Sequence, residues 1–140
     1  MNISLGPVDF LNFGDVFYLE IPDVEGIHYM VVVNTCPQEN EVIVLGVITS
    51  KVEKRKEFIR LAGKNPLSFV EFDYKVHSAI DCNNLKTVAK KHLREKVKSG
   101  TARVADSLPE SLMSKIFDGI IAGDAPQRLK NLIQNIRESN

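Results

Sequence analysis

The chain has 140 residues of ordinary composition, 44% hydrophobic and 26% charged, with a formal net charge of zero. This length fits one compact domain with a single sizeable core. A membrane-spanning protein is excluded, since no apolar run approaches the roughly 18 residues that a span needs. Two cysteines are too few for a disulfide scaffold, and the His and Cys spacing indicates neither a metal site nor a cofactor. The N-terminus has no signal-peptide pattern, so a cytoplasmic location is expected.

The neutral net charge conceals an uneven distribution of charge along the chain. Residues 1–50 contain no Lys or Arg but seven acids, whereas residues 51–140 contain all 18 basic residues and the other 11 acids. Two clusters of basic residues stand out, at 51–64 and 86–98. Two interpretations stay open. The clusters bind a polyanion, or they form a solvated surface that pairs with the acids of residues 1–50.

The first part of the chain is predicted to be β-structure. Apolar runs rich in β-branched and aromatic residues predict strands at 16–21, 29–33 and 42–48, buried on both faces in the last two. A polar connection of hairpin length, residues 34–40, separates these two runs. Further strand signals occur at 56–62 and at 69–80, where alternation predicts one packed and one wet face.

After Ile80 the periodicity changes to that of helices. The polar residues at 81–84 offer an N-cap for a helix that ends before Gly100. A capping box at 107–110 predicts a second helix that stops at Gly123, and a similar start at 124–127 predicts a third. Residues 99–106 are predicted to be a linker.

The expected fold class is therefore α+β and β-rich. A small, strongly bent antiparallel barrel is predicted over residues 1–82. Residues 83–140 are predicted to be a helical C-terminal extension that packs on the barrel or serves in assembly.

The order of these features resembles the PemK/MazF family of toxin–antitoxin endoribonucleases. The matching stretches are 13–18, which contains Gly14-Asp15, and the hairpin 29–50, which ends in Ile48-Thr49-Ser50. A weaker match is 79–85, and the resemblance covers roughly residues 12–88. It implies an SH3-like barrel, a homodimer, and a hydrolase that cleaves single-stranded RNA without metal and is neutralised by a cognate antitoxin.

The resemblance also implies site residues. Family members use an arginine just before the second strand and a hydroxyl at the end of the third. Thr49 and Ser50 stand at the hydroxyl position, but His28-Tyr29 stands where the family tends to have Arg-Pro. A histidine titrates near pH 6.5 and can act as base or acid, so the candidate catalytic residues are His28, Thr49 and Ser50. The candidate nucleic-acid-binding residues are Lys51, Lys54, Arg55, Lys56, Lys75 and His77.

Structural interpretations of the same residues stay open. His28 can simply begin a strand, hydroxyls such as those of Thr49 and Ser50 often satisfy backbone groups at a strand end, and His77 can be a surface residue. Three functions follow. The chain is a ribonuclease toxin, a non-catalytic barrel of the same class that binds nucleic acid or a protein, or a phage-related interaction protein whose helices mediate assembly.

Overall fold

The computed structural model describes residues 12–21, 26–34 and 41–138. The strands predicted at 16–21, 29–33 and 42–48 are confirmed, and the turn predicted at 34–40 lies mostly outside the described residues. A short 3₁₀ turn, Pro66–Ser68, precedes the fourth strand. The elements in chain order are β1 (Asp15–Leu19), β2 (His28–Val32), β3 (Val42–Thr49), α1 (Val52–Leu61), β4 (Phe69–Tyr74), β5 (Val76–Ala89), α2 (Lys90–Ser99), β6 (Ala102–Ser107), α3 (Glu110–Ala122) and α4 (Gln127–Glu138).

The described strands form one antiparallel sheet in the order β4-β5-β3-β2-β1-β6. Strands β1, β2 and β3 are neighbours in chain order, and β5 and β6 add to the two sides of this meander. The α+β class with an antiparallel sheet is thereby confirmed.

The sheet has an apolar core on each of its faces, which explains why the central strands are near-continuous apolar runs. We call one face the α3 face, because α3 and α4 cover it with a core formed by Val16, Val31, Val44, Ile48, Ile80, Ile116, Ile120 and Ile133. The opposite face is the α2 face, where Leu93 of α2 joins a core formed by Phe17, Leu19, Met30, Val32, Ile43 and Leu45.

The sheet curls so that its two outermost strands approach each other at one corner. The hydroxyl of Tyr74, the last residue of β4, donates a hydrogen bond of 2.8 Å to Asp106 of β6. Lys75, in the β4–β5 turn, lies 3.9 Å from the same carboxylate. Side chains thus join the first and last strands of the sheet order, while the described strands form an open sheet with no ladder between β4 and β6.

The strand predicted at 56–62 is wrong, because these residues belong to helix α1. Val52 and Ile59, seven positions apart, are its buried residues. Phe58 and Leu61, which suggested a strand, are 52% and 72% exposed. The helical spacing of the buried residues was therefore the informative pattern, since residues seven apart share one face of a helix.

The helix predicted to start at 81–84 is also corrected, because β5 continues to Ala89 and α2 begins only at Lys90. Residues 85–89 pair with the first half of β3, whose buried edge needs a hydrogen-bonding partner. Helix α2 ends as predicted at Gly100, which adopts a left-handed conformation with φ of 81°. The boundary expected between residues 82 and 83 therefore falls inside a strand.

A wide bulge in β5 explains the polar residues that suggested a helix cap. Gly46 pairs with Leu85, whereas Ile48 pairs with Ile80, so the four residues 81–84 stand opposite one residue of β3. Bulges redirect side chains out of the regular ladder. Here the bulge makes room for the polar side chains of Asp81 and Asn83 within the sheet.

The linker predicted at 99–106 is replaced by strand β6, which pairs with the free edge of β1. The capping box predicted at 107–110 does not form, since Ser107 donates its hydroxyl to Asp15 at 2.9 Å and α3 begins at Glu110. Helix α3 ends at the predicted Gly123, and α4 begins at Gln127. None of the helices in the described residues combines the length and apolar composition that a membrane span requires.

Candidate active site

His28 and Thr49 lie level with each other at one end of the sheet. The pairing of β2 with β3 ends at Met30 and Val47, and His28 and Thr49 each lie two residues beyond this last pair, at the same end of the sheet. Both side chains point to the α2 face, because they are two positions from Met30 and Val47, which pack there. The histidine and the hydroxyl chosen from the sequence therefore share one end and one face of the sheet.

The hydroxyl of Thr49 organises the connection between β3 and α1. Its Oγ1 accepts a hydrogen bond of 3.1 Å from the backbone N–H of Lys51. This is the structural role that hydroxyls often play where a buried strand ends. The hydroxyl proton is not used in this bond, so Thr49 can still donate to another acceptor. Ser50, next in the chain, is exposed.

Arg55 is bound within the fold instead of being directed into solvent. Its guanidinium donates two hydrogen bonds, of 2.8 and 2.5 Å, to Asp81, whose side chain is only 6% exposed. Asp81 also accepts from the backbone and the side chain of Asn83 at 3.0 Å, and Asn83 reaches Ser68 at 2.7 Å. This network anchors helix α1 to the bulge of β5.

Lys56 and His77 both interact with Glu71 on the α2 face. The ammonium of Lys56 lies 3.2 Å from Glu71, and His77 contacts Glu71 at 3.1 Å and Asp73 at 3.3 Å. The hydrogen bonds to Glu71 and then to Asp73 raise the pKa of His77 above its ordinary value of 6.5. Glu71 is correspondingly held at a lowered pKa, mainly by His77 and then by Lys56.

Replacing Glu71 with glutamine is expected to lower the pKa of His77, because the larger of its two stabilising hydrogen bonds to a carboxylate is weakened. In the wild type, a raised pKa in the folded state stabilises the protein below about pH 6.5, and this contribution is lost as pH rises through the folded-state value. NMR titration of the imidazole measures the shift. Glu53→Gln on α1 is the matched control, and an unchanged pKa in Glu71→Gln would contradict the pairing.

Lys75 lies on the other side of the sheet, among tyrosines. Its ammonium is 5.5 Å from the ring centres of both Tyr29 and Tyr74. Tyr29 also stacks on Tyr18 with a centroid distance of 4.6 Å. Burial, followed by the hydrogen bond to Asp106, raises the pKa of Tyr74. Lys75 is thus separated by the sheet from the other candidate cations.

The ion pairs within the described residues join basic side chains to acids of the same part of the chain. Among the described residues, the carboxylates that pair with Lys, Arg or His all lie between residues 57 and 124, and none lies in 1–50. Lys51 and Lys54 have no ion pair within this described part. The same is true of Lys91, Lys96 and Lys98 on α2.

No protein-family model matches the sequence, and no curated protein sequence matches it significantly. Solved structures do match the fold. An endoribonuclease from a mycobacterial species, determined in complex with its cognate antitoxin, superposes with a TM-score of 0.54 at 11% identity, covering 79% of this chain and 90% of that chain. The Mycobacterium tuberculosis toxin MazF-mt6 superposes with a TM-score of 0.50 at 12% identity, covering 76% and 91%. The chain has a MazF-like fold.

The MazF-like fold confirms the resemblance that was inferred from the order of strands and turns. At these identities the similarity concerns the backbone, and the side chains must be judged on their own positions. Within the described residues no group of three or more His, Cys, Asp or Glu side chains is arranged to hold a metal ion. The titratable candidate at the shared sheet end is His28.

Sequence reasoning missed one feature of this MazF-like fold, a cleft beside Tyr18 and Arg103. The guanidinium of Arg103 lies 4.9 Å from the ring centre of Tyr18, and the two residues pair across β1 and β6. The sequence signal for strand β6 was weak, and residues 99–106 were therefore predicted to be a linker. Recognising β6 as a strand would have put Arg103 beside an aromatic residue.

Proposed function

We propose that this chain is a MazF-type toxin that acts in the cytoplasm as a homodimer, cleaves single-stranded RNA without a metal ion and is neutralised by an antitoxin. The observation that carries the proposal is the MazF-like fold, which covers 79% of this chain and 90% of an endoribonuclease solved with its cognate antitoxin. His28 and Thr49, on one face at the same end of the sheet, support the proposal with groups that can act on a phosphate.

Cleavage of RNA by its own 2′-hydroxyl needs a base, an acid and donors that stabilise the phosphorane. In the proposed mechanism the 2′-oxygen attacks phosphorus and its proton passes to a base, while the bond to the 5′-oxygen breaks and that oxygen takes a proton from an acid. The imidazole of His28 can perform one of these transfers, since histidine is the side chain most often used as a general acid or base.

Charge on the phosphorane would be stabilised by groups at the same end of the sheet. The hydroxyl of Thr49 can donate to a phosphate oxygen while its oxygen accepts from Lys51 N. The ammonium groups of Lys51 and Lys54 at the start of α1 have no ion pair with described residues and can approach the phosphates. Arg55 contributes indirectly, because its bonds to Asp81 hold α1 in place.

The test of this proposal uses the purified protein and a fluorescently labelled single-stranded RNA in the presence of a chelator. We expect cleavage of the single strand and little cleavage of the same sequence in a duplex. Induced expression in a bacterial host should stop growth and fragment total RNA together. Intact RNA in both experiments would contradict the endoribonuclease function.

A second candidate is a non-catalytic barrel that binds nucleic acid. Two observations favour this candidate. His28 occupies the position where the resemblance predicts arginine, and the guanidinium of Arg55 is hydrogen-bonded to Asp81. Binding of RNA that weakens steeply with salt but never leads to cleavage would support this candidate, because phosphate contacts release counterions.

A further inference from the structure

A cleft of about 380 Å³ opens at the sheet end that carries His28. Tyr18 and Glu20 line it from β1 and the residue after it, Ile27 lines it from the start of β2, and Thr101 and Arg103 line it from β6 and the turn before it. Ile27 precedes His28 directly in the chain. The cleft and His28 lie at the same end of the sheet but on opposite faces, because successive residues of a strand alternate.

The walls of this cleft are aromatic, cationic and apolar. The ring of Tyr18 stacks on Tyr29, with centroids 4.6 Å apart and planes inclined by 34°. The guanidinium of Arg103 lies 4.9 Å from the centre of the Tyr18 ring and has no ion pair among the described residues. Ile27 is 52% exposed and gives the cleft an apolar wall.

The chemistry of these walls matches an unpaired nucleobase of a single strand. Aromatic rings and guanidinium planes are the usual stacking partners of splayed RNA bases, and an arginine also attracts the phosphates beside them. The carboxylate of Glu20 provides an acceptor at the rim. Carboxylates recognise bases through exocyclic amino groups, such as N4 of cytosine.

We propose that this cleft binds one unpaired nucleobase of the RNA, stacked against Tyr18 and Arg103, and that Glu20 selects bases with an amino group over uracil. The inference rests on the proposed function for its substrate class. An RNA strand that passes over the end of the sheet would put this base next to the phosphate at His28. The cleft therefore sets part of the sequence preference, while His28 and Thr49 act on the phosphate.

The experiment measures binding separately from cleavage. The probes are short 2′-O-methyl RNA oligonucleotides of adenine, cytosine or uracil only, which lack the attacking hydroxyl. Anisotropy of an end label gives the affinity. The protein contains no tryptophan, and its three tyrosines are Tyr18, Tyr29 and Tyr74, so its intrinsic emission reports on the tyrosine cluster and should be quenched by a stacked base.

We expect Tyr18→Leu to weaken binding about 5- to 150-fold, the range that a lost base–aromatic stack produces, and Tyr18→Phe to keep most of the affinity. Glu20→Gln should reduce the preference for adenine and cytosine over uracil. Arg103→Gln should also weaken binding, because it removes the cation beside the stacked base. Two matched controls lie away from the cleft. Phe58→Leu controls for the loss of an exposed ring, and Arg128→Gln on α4, an exposed arginine outside both basic clusters, is the counterpart of Arg103→Gln. Thermal unfolding checks that each variant is folded.

The outcomes separate this inference from the proposed function. If a folded Tyr18→Leu binds all three probes as tightly as wild type does, the nucleobase site is overturned even if wild type cleaves RNA. Likewise, weakening by Phe58→Leu as large as that by Tyr18→Leu would overturn it. Tyr18-dependent binding by a protein that never cleaves RNA would support the nucleobase site and remove the ribonuclease function.

Discussion

Replacing His28 with alanine is expected to lower the rate of RNA cleavage by about 100- to 10,000-fold, the usual contribution of one positioned general acid or base. The folded state should change little, since His28 is only half-buried at the beginning of a strand. Initial rates on a single-stranded RNA, with the chelator present, measure the effect. In a bacterial host the same substitution should remove toxicity.

Substitutions of a second residue sharpen this test. Thr49→Val removes a donor without adding bulk, and its loss should be smaller, whereas Thr49→Ser should keep most activity. Equal rates for wild type and His28→Ala would exclude the histidine from proton transfer.

Replacing Arg55 with alanine is expected to lower the free energy of unfolding by roughly 3 kcal/mol, near the low end for a broken buried ion pair. The value is discounted because a third of the Arg55 side chain is exposed and Asn83 still donates to Asp81. Chemical denaturation measures the change. The physical cause is a buried carboxylate left without its cation.

Lys54→Ala is the matched control for this substitution, since Lys54 is the preceding residue of α1 and is exposed. It should leave stability within about 0.5 kcal/mol. Adding Asp81→Ala to Arg55→Ala should cost less than the sum of the two single changes, because the second removes a charge that is already unpaired. Equal stability of Arg55→Ala and Lys54→Ala would show that Arg55 is not structural.

These substitutions also separate the two interpretations of the basic cluster at 51–64. If it is an RNA-binding surface, Lys54→Ala should weaken RNA binding and reduce its salt dependence without changing stability. If the main role of Lys56 is its ion pair with Glu71, Lys56→Ala should leave RNA affinity unchanged. Polyanion binding and internal pairing are therefore assigned residue by residue, not to the cluster as a whole.

Much of the fold follows from local patterns in the sequence. Strands β1, β2 and β3 are predictable because short apolar runs, bounded by turn residues, specify buried strands. Helices α3 and α4 are predictable from their spacing of apolar residues, and Gly100 and Gly123 mark helix ends. For the site, the same local information is sufficient to place a titratable residue at the beginning of β2 and hydroxyls at the end of β3.

Other parts of the fold could not be predicted from local patterns. Residues 85–89 have helical spacing, yet they pair with β3, because the hydrogen bonds of a long central strand outweigh a weak local preference. Residues 102–107 have little pattern of their own and become a strand because β1 has a free edge. Phe58 and Leu61 suggested a strand although they are exposed on α1.

The sequence by itself determined the order of the buried strands and the helical C-terminal elements, since each depends on residues close together in the chain. Only the tertiary structure decided which cations are already paired and which aromatic rings meet. Arg55 and Asp81 are 26 residues apart, and Tyr74 and Asp106 are 32 apart. Such pairings arise when the curled sheet brings distant strands together, because side-chain contacts act over a few ångströms and the periodicity of one element does not encode its neighbours.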